Sequence, residues 1–94
     1  MAPTKQYDPA SRLNTPESIA AYVEAAFEDG DPALITAVLG DLARARGITQ
    51  LAKDAGVSRE TLYKAFRENG NPTLETLSAV MRTLGLKLAV RPAA

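Results

Sequence analysis

Apolar residues recur along most of this chain at three- and four-residue spacing, the period of a helix with one buried face. Ile19, Tyr22, Val23, Ala26 and Phe27 mark the first such stripe. It opens at Thr15-Pro16-Glu17, which supplies a capping hydroxyl, a proline at the first helical position and an acid near the positive end of the dipole. It stops at Asp29-Gly30, and Asp31-Pro32 repeats the start signal. The second helix runs to about Ala45. Its apolar positions Leu34, Ile35, Val38, Leu39 and Leu42 cover a broad face, which predicts the most buried element. Arg44 and Arg46 complement the negative end of this helix, and Gly47 terminates it. Leu51, Ala52 and Ala55 form the inner face of a short third helix, and Leu62, Ala65 and Phe66 that of a fourth. Asn69-Gly70-Asn71-Pro72 is a loop. Thr73 caps a fifth helix striped by Leu74, Leu77, Val80, Met81 and Leu84 and ended by Gly85. Leu86 to Arg91 then alternates with period two, which predicts a short strand paired with its twin, the N-terminal segment or another protein; the alternative is a frayed tail that only lays Leu86 and Leu88 on the core. The pattern gives an all-α domain over 15–85, an irregular segment over 1–14 anchored by Tyr7 and Leu13, and a short strand and tail over 86–94.

The third and fourth helices read as a helix-turn-helix. Gly56 takes the left-handed turn that is cheapest without a β-carbon, Val57 plugs the corner, and the Ser58 hydroxyl caps the fourth helix. A larger residue in place of Ala52 would push the crossing helices apart. The outward face of the fourth helix carries Arg59, Glu60, Tyr63, Lys64 and Arg67, long side chains of the kind that reach base edges and phosphates in a major groove. Arg59, Tyr63 and Lys64 are the candidates for base or near-base contacts, and Glu60 is a possible acceptor from cytosine. Gln50, Ser58, Thr61, Arg67, Asn69 and Asn71 suit phosphate or turn roles. The plainer reading is a helical hairpin with a solvated charged face.

Charge changes this picture more by its placement than by its total. Net charge is zero, but residues 1–43 hold two basic and seven acidic groups, a net of −5, while residues 44–94 hold nine basic and four acidic, a net of +5. The basic half contains the candidate DNA-reading helices, where phosphate contacts and counterion release supply affinity. The acidic half suits a basic protein partner, or is solvated surface. At 94 residues and 46% hydrophobic, the chain builds one small core. No apolar run approaches the roughly 18 residues that span a membrane, and the amino terminus lacks the apolar stretch of a signal peptide, so a cytoplasmic protein is expected. With no cysteine and no histidine, zinc fingers, thiol chemistry and an imidazole base are excluded. Carboxylate pairs such as Asp29 with Asp31 or Glu24 with Glu28 have no nucleophile or phosphate-binding loop nearby. The chain reads as a non-enzyme without a cofactor.

The order of helices, with Gly-Val-Ser-Arg-Glu-Thr-Leu-Tyr-Lys-Ala-Phe at 56–66, Gly-Asn-Pro-Thr-Leu-Glu-Thr-Leu at 70–77 and Leu-Gly-Leu-Lys-Leu at 84–88, resembles the phage-repressor (Xre/Cro-like) superfamily. Tyr7-Asp8-Pro9-Ala10, Gly30-Asp31-Pro32-Ala33-Leu34 and the string from Leu39 to Gly47 resemble the small antidote proteins of bacterial addiction modules. The resemblance covers about Tyr7 to Val90. It implies a five-helix, lambda-repressor-like fold and a homodimer that binds double-stranded operator DNA. It also implies an antitoxin that neutralises a small basic, ribonuclease-like toxin and represses its own operon. Tyr7, Asp8 and Leu13 are the candidate toxin contacts. One departure is the short segment before Leu51, which leaves Gln50 as only an approximate equivalent of the glutamine often found at that helix start in phage repressors. Two alternatives stay open: a protein-interaction module of the same fold that binds no DNA, and a stand-alone repressor without a toxin.

Overall fold

The computed structural model describes residues 15–93. It contains five helices: α1 (Pro16–Asp29), α2 (Pro32–Arg46), α3 (Ile48–Ala55), α4 (Arg59–Phe66) and α5 (Leu74–Thr83). Each start is set locally. At α1 a reciprocal capping box joins Thr15 and Ser18. The Ser18 N–H donates to Thr15 Oγ1 at 3.1 Å and the Thr15 N–H to Ser18 Oγ at 3.3 Å. The Asp31 carboxylate accepts the Ala33 N–H at α2, and the Thr73 hydroxyl accepts the Thr76 N–H at α5. The helix ends lean on residues that tolerate a left-handed backbone, Gly30 at φ 81° and Gly85 at φ 82°.

α2 lies at the centre, against α1, α3 and α4, and α3 also packs on α4 and α5. The core is built from Ile19 and Val23 of α1, Leu39 and Leu42 of α2, Leu51 of α3, Leu62 and Phe66 of α4, and Val80 and Met81 of α5. Fully burying a side chain of this size contributes about 1.5–3 kcal/mol, so this one cluster dominates the fold's stability. One crossing is unusually close. A β-carbon on buried Gly40 of α2 would sit 2.8 Å from the Phe66 carbonyl oxygen at the end of α4. Only a glycine admits that approach without a shift.

Three apolar positions depart from the expected stripes. Leu74 is 71% exposed, because as the first residue of α5 it precedes the face that packs inward, which is made by Thr76, Ala79, Val80 and Met81. Leu34 and Phe27, near the start of α2 and the end of α1, are also exposed. In α2 the buried set shifts to Thr36, Val38, Leu39, Gly40, Leu42 and Ala43, which still makes it the central helix.

The segment 86–91 is not the expected strand, and no strand occurs among the described residues. The Leu86 N–H donates to the Met81 carbonyl at 2.8 Å and the Gly85 N–H to that of Arg82 at 3.0 Å, a pairing that closes α5. Beyond Leu86 the tail has no backbone partner among the described residues, and surrounding helices offer no open ladder to pair with. Side chains place it instead. Leu86 packs on the core, and Arg91 forms ion pairs with Glu24 and Glu28 of α1.

Candidate nucleic-acid interface

The helix pair α3 and α4 is joined by Gly56, Val57 and Ser58. Gly56 has φ 75°, as the sequence requires. The Val57 N–H reaches back to the Ala52 carbonyl at 3.0 Å and the Gly56 N–H to that of Lys53 at 3.3 Å, so the end of α3 is satisfied by its own turn. Val57 packs on the core. The Ser58 hydroxyl accepts the Thr61 N–H at 2.9 Å and opens α4. Inside the pair, Leu51 and Ala52 meet Leu62, Ala65 and Phe66, all buried.

With its inner face fixed, α4 turns Arg59, Glu60, Thr61, Tyr63 and Lys64 to the surface, followed by Arg67. These residues are not equivalent. The Arg59 guanidinium lies over the Tyr63 ring, 5.3 Å from its centroid, with Nη2 3.3 Å from the Tyr63 hydroxyl. The i,i+4 spacing makes the pair adjacent, and a cation over an aromatic face gains about 0.5–1 kcal/mol at an exposed site. The Ser58 and Thr61 hydroxyls are hydrogen-bonded to each other at 2.8 Å. Gln50 donates to the Asp54 carboxylate at 2.9 Å along α3.

Arg67, Asn69 and Asn71 line one open cleft of about 460 Å³ between the start of α2 and the loop after α4. Asn69 takes φ 64°, which places Gly70 against the end of α4; a β-carbon there would meet the Ala65 carbonyl oxygen at 2.4 Å. The cleft also includes Arg44, which the sequence reading treated only as a helix-end charge. Its guanidinium is bonded to Asp41 at 2.8 Å. The i,i+3 pair was visible in sequence, but its nearness to Arg67 depends on the α2–α4 crossing. Tyr7, Asp8 and Leu13 lie outside the described residues. Among the described residues, no helix is long and apolar enough to cross a membrane, and no cluster of acidic side chains is arranged to hold a metal ion.

Five packed helices with a short, tightly turned pair presenting a polar face define the class of molecule. Comparison then gives the family: the family model described as "probable addiction module antidote protein" matches residues 3–92, and the chain belongs to that family. A protein of Haemophilus influenzae described as uncharacterised is 44% identical over 87 residues, covering 93% of this chain and 90% of its own length. No solved structure matches the chain. Membership in an antidote family implies a toxin as partner and a regulatory, non-enzymatic role.

Proposed function

We propose that this protein is a sequence-specific DNA-binding antitoxin, which neutralises its toxin and, as a homodimer, represses its own operon. α3 and α4 then act as the helix-turn-helix of a lambda-repressor-like domain, with α4 as the reading helix. The observation that carries this reading is the division of α4. Leu62, Ala65 and Phe66 are locked into the core, while Arg59, Glu60, Tyr63, Lys64 and neighbouring Arg67 are exposed on a helix of eight residues. Three of these five exposed residues, Arg59, Lys64 and Arg67, are cationic, the charge that phosphate contacts call for. In this reading Arg59, Tyr63 and Lys64 face base edges and Glu60 accepts from a cytosine amine. Ser58, Thr61, Arg67, Gln50, Asn69 and Asn71 position the backbone on phosphates. That Arg67, Asn69 and Asn71 share one open cleft supports this reading. A two-fold dimer would offer two α4 helices to half-sites about 34–36 Å apart.

The test is a gel shift of the purified chain on the DNA upstream of its own gene, at several salt concentrations. Affinity that falls steeply with salt, together with a clear preference over scrambled DNA, is the expected result. No shift at any salt would leave a toxin-binding module of this fold without DNA binding. Removing residues 1–14 separates the two activities. Operator binding is expected to persist and toxin binding to weaken, since that segment carries the candidate toxin contacts Tyr7, Asp8 and Leu13 and no residue of α3 or α4.

A further inference from the structure

The tail after α5 makes its outermost side-chain attachment through one residue. Arg91 spans Glu24 and Glu28, which sit one helical turn apart on the exposed side of α1; Nη2 is 3.4 Å from the Glu24 carboxylate and also bonded to that of Glu28. Between Leu86 and Arg91 the tail is loosely held among the described residues: Leu88 is 42% and Val90 98% exposed, and no hydrogen bond or ion pair joins residues 87–90 to the helices. The three charged side chains are 61–67% exposed. Exposed ion pairs of this kind contribute about 0–1 kcal/mol each, so the attachment opens cheaply. α1 itself carries Glu17, Glu24, Glu28 and Asp29 and no basic residue. When Arg91 leaves, the carboxylates of Glu24 and Glu28 face each other at i,i+4 with no cation between them, a mildly unfavourable arrangement.

We propose that the C-terminal tail is a latch, in which Arg91 occupies in cis an arginine-accepting surface on α1 that a basic protein partner takes over by displacing it. A single guanidinium nitrogen, Nη2, carries both contacts, and its two protons can serve one carboxylate each. The tail thereby screens α1 from weakly cationic proteins and yields to a partner that brings several arginines, and binding and tail release become one event. Closure lowers the apparent affinity for the partner by the fraction of time the latch is shut. This inference is independent of whether the basic half binds DNA.

The experiment uses the full chain and a nona-arginine peptide as the cationic probe, with backbone dynamics of residues 88–91 followed by NMR. In the free protein, Arg91→Ala should raise the mobility of those residues and Arg91→Lys should do so less. Glu24→Gln with Glu28→Gln should reproduce Arg91→Ala. On titration, the peptide should shift the Glu24 and Glu28 amides and mobilise the tail of the wild type. It should bind Arg91→Ala roughly two- to fivefold more tightly and the double glutamine variant far more weakly. Equal affinity for wild type and Arg91→Ala, or a tail whose mobility ignores Arg91, would overturn the latch. Undiminished binding to the double glutamine variant would remove the surface from α1.

Discussion

At the scale of single residues, the caps were the most legible part of the molecule. Thr15, Asp31, Ser58 and Thr73 each accept the backbone N–H that their position in the sequence calls for, because a cap depends only on the two or three residues that follow. The pairing of Arg59 with Tyr63 was implicit in their spacing, but its form, with the guanidinium over the ring, depends on the rotamers that a solved helix face permits. That pairing sharpens the expectation for DNA reading. In the proposed role, an Arg59 already held against Tyr63 would lose less side-chain freedom on contact with a base. Arg59→Ala should cost about 1–3 kcal/mol of operator affinity and relax the preference at one operator position, while Tyr63→Leu, which removes the ring under the guanidinium, should cost less. Titration of both variants against operator and scrambled DNA checks this. Unchanged binding by Arg59→Ala would take that residue out of the interface.

Elements were legible as far as their periodicity is local, and less so where a neighbour decides which face is inward. All five helices were readable from spacing and punctuation, but Leu74 belonged to the α5 stripe by spacing and lies outside by packing, since α5 meets only α3 closely and turns Thr76 and Ala79 toward it. The alternation of Leu86 to Arg91 has the period of a strand, yet a strand also needs an adjacent ladder, and period alone cannot supply one. Leu74→Ser should therefore change the melting temperature little, in contrast with a core truncation such as Leu62→Ala, which should cost about 2–5 kcal/mol. Thermal or urea unfolding of the two variants distinguishes them. At the turn between α3 and α4, the sequence calls for a positive φ at Gly56 and leads to the expectation that Gly56→Val disrupts the helix crossing. The structure keeps the left-handed backbone, at φ 75°, and leaves no steric part, because a β-carbon on Gly56 meets nothing within 4 Å. The penalty in Gly56→Val comes from the left-handed backbone alone, about 1–2 kcal/mol and more for a β-branched side chain. The crossing itself should survive, so this variant should melt earlier yet keep the near-ultraviolet signature of a packed core. Loss of that signature would return the cause to steric crowding.

For the molecule as a whole, the two oppositely charged halves of the sequence meet at α2, whose first part belongs to the acidic half and whose end carries Arg44 and Arg46. α1 packs on one side of it and α4 on another. Gly40, seated in the middle of α2, sets how tightly α4 is held there. With a bare α-carbon against the Phe66 carbonyl, the two helices touch backbone to backbone, and little compressible side chain lies between them. Such a joint has no play. The contact works as a bracket that ties the bearing of α4 to that of α2. Gly40→Ala inserts a one-carbon shim into that bracket. It should lower stability by about 1–3 kcal/mol. It should also tilt α4 enough to weaken operator binding at temperatures where the variant is still fully folded, which unfolding curves and gel shifts read separately. A variant that melts early but grips its operator as before would mean that the bracket is soft and that α4 keeps its bearing by other means.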